Sequence, residues 1–492
     1  MPAPAHRPAI AGAGQFVQRV EDPREAAEPL ALMERSLRRA AQDSGAPRLL
    51  EALDAIYVPQ GIWRYGDPGA LLAERVGAGS VHTAIGTLSG HIVQILINRA
   101  CQDIAAGRRE VIAIVGAESE NSKRRLRRQG LPPGWDDRIP GEPSQRIGNS
   151  KRGVSPHEIR AGINDALSCF SLCENALRHA LGETPAAHRD RIAELYSAMS
   201  RIAAANPDAW IQREISSDEI RNPSTANRMV AYPYTKLMTS NISVDQGAAL
   251  ILCSEAAAAR LAIAPERLVY LRAATEMSHT TVLSERQALY HHPGQEIAAG
   301  RALELADTQS EDLEHIDLYS CFPFAVQAGA TALGVGLDPV PSLTGGMTFF
   351  GGPLANYVLH AKAQMVDRLR ATPGSKAAIG SVGGFFGHFA FGIYSTDPGE
   401  EPGPLIEDVS ARYASLPTRA HDPDFEGRAE IESYTVDVQA TGPVRATFSA
   451  LNAAGERVWG HSKDPSVMQA LLDDEDACGR SASIREGLVD LG

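Results

Sequence analysis

The stretch DLYSCFPFAV, Asp317 to Val326, puts a phenol, a hydroxyl and a thiol on three consecutive residues, Tyr319, Ser320 and Cys321. A phenol can donate a hydrogen bond to a developing enolate or oxyanion, and a thiolate can attack a carbonyl carbon. Pro323 falls in what would be a first helical turn, where its missing N–H costs little and Ser320 or Tyr319 could cap. Taken alone, the stretch reads equally as a catalytic loop or as a capped helix start. Two histidines lie near Gly-rich loops. His388, in GGFFGHFAFG, could shuttle a proton near neutral pH. His360, in NYVLHA, is one turn beyond Asn356, so the two share a helix face. The alternative for each is a hydrogen-bonded core histidine, whereas His291 and His292 read as surface. The segment SKRRLRRQG carries Lys123, Arg124, Arg125, Arg127 and Arg128. It fits either a solvated loop or a contact with an anionic group such as a nucleotide phosphate.

These groups need a large framework, and 492 residues provide one, with room for two or three domains. A hydrophobic content of 43% with 22% charged residues suits a globular chain. The net charge of −13 argues against nucleic acid as the partner. No apolar run approaches the roughly 18–20 residues that span a bilayer, so membrane insertion is not expected. The opening MPAPAHRPAIAGAGQ lacks the layout of a secretory signal. Six scattered cysteines make a poor disulfide framework, and Cys169 and Cys173 have no second pair for a zinc site. No metal is expected, and the reading of compartment is a reducing one, the cytoplasm.

PAIAGAGQF reads as a buried strand ending in a Gly turn, PLALMERSLRRAAQDSG as a helix and LDAIYVPQG as a strand. A helix at ILINRACQDIAAG precedes the continuous apolar run EVIAIVGAES, which suits the centre of a sheet covered on both faces. Residues 120–230 lack strong strands and read as an insertion over the sheet. SVDQGAALILCSEAAAARL, RLVYLRAATE, KAAIGSVGG and HFAFGIYST resume the strand pattern, with a helix at AKAQMVDRLRATPG. The two halves share one strand, Gly-turn, helix logic, as a duplicated α/β unit would. RAEIESYTVDVQA and PVRATFSALNAAGERVWGHSKD alternate with period two after the linker TDPGEEPGP, which predicts a small antiparallel sheet or barrel.

IAAGRREVIAIVGAES, SVDQGAALILCSEAAAARLAI, TGGMTFFGGP and AAIGSVGG resemble, in order, four motif segments of the thiolase superfamily. YSCFPFAVQ, TFFGGPLANYVLHA, NRMVAYPYTK, AANPDAW and GHFAFGIYST are more narrowly similar to bacterial thiolase-like proteins of type 1, which are usually labelled acetyl-CoA acetyltransferases and carry an additional C-terminal domain. The resemblance implies an α/β fold with a thiolase-like duplicated mixed-sheet core, a helical loop domain and a small C-terminal antiparallel β (OB-like) domain. The expected divisions are 1–265 with the 120–230 insertion, 266–400, and 410–492. It also implies coenzyme A or acyl-CoA as substrate or ligand, with no covalently bound cofactor, in lipid metabolism. A homodimer through the sheet edges is implied too, although the added domain could cover that surface, which leaves a monomer open.

The departures bear on mechanism. The nucleophilic Cys position of thiolases falls on Gly90 or Thr87, the motif His on Gly352, and the second Cys near Ser381. Cys101 lies deep in its helix and reads as core. Losing an attacking nucleophile commonly costs on the order of 10⁴–10⁶ in rate. YSCF falls where thiolases carry NEAF or HDCF, which implies that Tyr319 serves an oxyanion hole and leaves Cys321 as either a nucleophile or a cysteine that only packs. His388 and His360 complete the catalytic candidates. His91, Asn356, Ser381, Arg124 and Arg125 are the substrate-binding candidates. Three functions follow: an acyltransferase or C–C bond enzyme acting on acyl-CoA, retro-aldol cleavage of a 3-hydroxyacyl-CoA, or acyl-CoA or lipid binding without chemistry.

Overall fold

A computed structural model describes residues 6–148 and 153–491. Met1 to Ala5 of the N-terminal stretch lie outside the described residues. The first sheet contains β1 (Pro8–Val17), β2 (Ala55–Pro59), β3 (His82–Gly86), β4 (Val111–Ser119), β5 (Gln145–Ile147) and β8 (Asp245–Ser254), in the order β1-β8-β4-β2-β3-β5. Between β5 and β8, β6 (Met229–Ala231) and β7 (Tyr234–Thr235) join a different sheet. The second sheet holds β9 (Tyr270–Met277), β10 (Leu313–Asp317), β11 (Lys376–Gly383), β12 (His388–Ser395) and β13 (Leu405–Asp408), in the order β10-β11-β12-β9-β13.

The two sheets repeat one unit. β2 runs parallel to β4, β4 antiparallel to β8, and β8 antiparallel to β1. β10, β11, β12 and β9 reproduce that succession with the same directions. The helix Ile92–Ala105 packs on strands of both sheets, and Tyr357–Ala371 does the same beside it. The first of these is apolar on nearly every side, as a helix between two sheets must be. Pro29–Asp43 covers the outer face of the first sheet and Pro293–Leu305 that of the second, giving five layers. Lys362, wholly buried in the middle layer, donates to Gln94 Oε1 at 2.5 Å and to Tyr394 Oη at 2.7 Å. Burial holds its ammonium pKa well below the ordinary lysine range.

The third sheet closes on itself. β14 (Gly427–Gln439), β15 (Gly442–Asn452), β16 (Arg457–Ser462), β17 (Ser481–Arg485) and β18 (Leu488–Asp490) follow β15-β16-β18-β17-β14, and β14 also pairs with β15. A helix, Pro465–Leu472, lies between β16 and β17. This is a five-stranded OB-like barrel, antiparallel except for the β16–β18 bridge. β6 pairs with β14, so the segment expected to lack strands contributes an edge to this sheet. Among the described residues no helix is long and apolar enough to cross a membrane. All six cysteines are free and buried.

Arg457 ties the barrel to the rest. It is wholly buried and pairs with Glu432 through Nε at 2.8 Å and Nη2 at 2.7 Å. Its Nη1 donates to the carbonyls of Leu283 at 2.8 Å and Arg286 at 2.5 Å. Arg457→Met strands a carboxylate and these carbonyls together, and is expected to lower unfolding stability by about 3–5 kcal/mol in urea titration. A loss below about 1 kcal/mol, as for an exposed pair, would contradict this anchoring role.

Candidate active site

The YSCF loop leaves the end of β10 and is fastened from several directions. Asp317 Oδ2 accepts from the N–H groups of Leu343 at 2.8 Å and Thr344 at 3.2 Å, and Oδ1 accepts from Tyr357 Oη at 3.0 Å. Burial raises the Asp317 pKa to about 6, against the pull of those N–H donors. Leu318 N donates to Pro341 O, Met347 N to Ser320 Oγ, and Ser240 N to Cys321 O. Ser320 and Tyr319 therefore do not cap the following helix, contrary to the sequence expectation. Pro323–Leu333 starts at Phe322 with no side-chain cap, because the Ser320 hydroxyl is engaged by the 342–347 loop.

The loop forms one wall of a cavity of about 190 Å³. Tyr319 and Cys321 share it with Gly90, Gly352 and the Val382–Gly384 turn, with Phe170, Phe322 and Leu354 supplying apolar surface. Three separate motif segments thus meet the loop around one space. Gly90 stands two residues before the buried helix Ile92–Ala105, whose first N–H groups lack intrahelical partners and favour negative charge. A Cβ built on Gly90 would lie 2.5 Å from Tyr319 Cζ, and closer still to Tyr319 Oη and the Val382 carbonyl. The phenol therefore fills the room that a side chain at position 90 would need.

Tyr319 Oη has no hydrogen-bond partner among the described residues. Its phenol is held protonated: burial, with Cys321 adding to it, pushes its pKa far above the ordinary range. Burial does the same to the Cys321 thiol, outweighing the nearby backbone N–H groups. A thiol so disfavoured as thiolate is a poor nucleophile.

The other candidates separate. His388 opens β12 opposite Gly383, one residue behind the cavity wall; its Nε2 lies 2.7 Å from Thr280 Oγ1, and its buried Nδ1 has no partner. His91 lies with its ring tilted against it, centroids 4.9 Å apart, and bonds Ser89 at 2.8 Å and Ser278 at 3.3 Å. Burial lowers His388 to about 4, with Arg286 contributing, and His91 to about 3, with His388 contributing. His360 faces away, 2.7 Å from Gln15 Oε1 and 3.4 Å from Asn356 Nδ2, so these two share a helix face but not the cavity wall. Ser381 Oγ donates to Ala390 O inside the sheet. The basic segment is helical, not a loop, and none of it lines the cavity. Arg125 there donates to the carbonyls of Val20 and Glu21, and Lys123 pairs with Glu120 at 3.3 Å. Arg124, half-buried on the same helix, is likewise off the wall. Sequence reading did not anticipate Phe170, Ser240, Met347 or Leu354 on the wall, since apolar and small residues carry no pattern of their own.

No protein-family model matches the chain. A curated acetyl-CoA acetyltransferase of Methanocaldococcus jannaschii is 27% identical over 124 residues, covering 25% of this chain. That match spans only 30% of the relative's length. The structure is similar to a monomeric SCP2-thiolase-like protein type 1 of Mycobacterium smegmatis, with a TM-score of 0.84 and 28% identity over 99% of both chains. The chain has a thiolase-like fold with an additional C-terminal domain. An Ltp2–ChsH2 (DUF35) aldolase has the same core fold, with a TM-score of 0.60 and 17% identity over 80% of this chain and 98% of its own.

Gly90→Ala is expected to destabilise the protein by about 1–3 kcal/mol, the usual penalty of overpacking. The penalty should shrink in a Tyr319→Leu background, because part of the clash is with the phenol ring. Equal penalties in the two backgrounds, measured by chemical denaturation, would show that the two residues do not compete for space.

Proposed function

We propose that the chain acts on an acyl-CoA without forming an acyl-enzyme, cleaving the C2–C3 bond of a 3-hydroxyacyl-CoA in the retro-aldol sense. The observation that carries this is the phenol of Tyr319 standing where a side chain at position 90 would go, unpartnered and protonated beside a helix N-terminus. Such a donor suits a thioester oxygen that gains charge as an enolate forms. The reaction removes the proton of the 3-hydroxyl, breaks C2–C3 to give an aldehyde or ketone and the enolate, and returns a proton to C2. No covalent intermediate is needed, which suits a wall whose one cysteine is held as thiol. For the base we propose His388, neutral above about pH 4 and paired in the sheet with Gly383 of the wall.

A second reading is acyl-CoA binding without turnover. It draws on the same wall, which bears no carboxylate, imidazole or amine of its own. The acyltransferase name of the curated relative supports an acyl-CoA as ligand under either reading.

The two part in a panel of 3-hydroxyacyl-CoA thioesters, with the shortened acyl-CoA and the released carbonyl compound followed by mass spectrometry. Turnover is expected, and Tyr319→Phe should lower it by about 10²–10³, the usual loss for one oxyanion donor. KM should change little, since the phenol acts where charge develops. Binding of CoA with no product from any thioester would support the second reading. Full activity in Tyr319→Phe would remove the phenol from the mechanism.

A further inference from the structure

On the far side of the turn after β11 lies another cavity, of about 200 Å³, with Arg286 and His292 on its wall. Arg286 is 5% exposed and His292 1%. The guanidinium donates through Nη2 to Phe385 O at 2.6 Å and more weakly to Thr281 O at 3.4 Å. Its Nε and Nη1 are buried without a partner. His292 caps the helix Pro293–Leu305, accepting from Gly294 N at Nδ1, 3.1 Å away. That bond makes Nδ1 the acceptor and leaves the proton on Nε2, which is also buried without a partner. The sequence expectation places both histidines of this pair at the surface; only the first, His291, lies outward, while His292 packs against Phe389 and Tyr413.

Three buried nitrogen donors, two of them on a charged guanidinium, thus belong to residues of one cavity wall and have nothing to donate to. A buried cation without a counter-charge costs stability unless an anion completes it. Glu285 is on the same wall but half-buried, and makes no ion pair with Arg286 among the described residues. The rest of the wall joins the apolar Pro293, Tyr413, Leu416 and Pro417 to polar groups that include His279, His291 and Gln287. The volume is several times the roughly 30 Å³ of one liquid water.

We propose that this cavity binds a small organic carboxylate with a short apolar tail, the carboxylate on Arg286 and His292 and the tail against Tyr413 and Leu416. Charge-assisted donation by a guanidinium suits a carboxylate, and the apolar side gives a tail its affinity. The site is separate from the acyl cavity, although Arg286 grips the Phe385 carbonyl of the turn whose start walls that cavity.

Calorimetry on the full chain with hexanoate, acetate and inorganic phosphate, at constant ionic strength in chloride, tests this. Hexanoate is expected to bind more tightly than the other two and to raise the melting midpoint. Arg286→Met and His292→Asn should each weaken it by about tenfold or more, the usual effect of deleting a charge-assisted donor. Asn retains a helix-capping acceptor, so His292→Asn carries the test if Arg286→Met fails to fold. Tyr319→Leu, in the acyl cavity, should leave hexanoate binding unchanged. No binding of any of the three, equal affinity for phosphate, unchanged affinity in His292→Asn, or loss of binding in Tyr319→Leu would each overturn the proposal.

Discussion

Position 90 and the Tyr319 phenol compete for one small volume at the start of the central helix, and the rest of the site is arranged around that competition. With glycine at 90 the phenol lies against the backbone, in the room a side chain there would need. It remains a neutral donor, because burial disfavours the phenolate. The same desolvation keeps Cys321 a thiol and His91 and His388 neutral. The site therefore offers uncharged donors and acceptors rather than an ion pair or an activated thiolate. Such groups suit the proposed reaction, in which a transient negative charge develops on the substrate.

Holding the phenol there takes a second constraint. Asp317 gathers the 341–346 loop and Tyr357 around the end of β10, and Ser320 holds the next turn through Met347. A carboxylate so enclosed loses much of its solvation, and its N–H donors only partly compensate, which is why its pKa rises rather than falls. Position in a site of this kind depends on polar contacts satisfied at every turn, since an unmatched buried group would cost as much as the loop gains.

Much of the framework was legible in the sequence. The continuous run at β4 and the apolar helix beginning at Ile92 announce their burial, and the repeated strand logic of the halves appears as the same strand succession in both sheets. The alternation after residue 427 gives the barrel strands. Less legible were features decided by distant partners. Nothing in NRMVAYPYTK tells that Met229–Ala231 would join the barrel. Ser320 looks like a cap until Met347 claims it. The sequence leaves the missing side chain at Gly90 or Thr87, and only the fold shows that the Tyr319 phenol fills the room at position 90. His292 and Arg286 are unremarkable in the chain because burial by loops far apart in sequence is what isolates their N–H groups.

The account rests on chemistry without an acyl-enzyme, and intact-protein mass spectrometry after incubation with acetyl-CoA and with 3-hydroxyacyl-CoA thioesters tests that directly. The unmodified mass should persist throughout, including under conditions where product accumulates. An added acyl mass would contradict the account, and peptide mapping of it to Cys321 would show that the buried thiol is activated in a way this geometry does not provide.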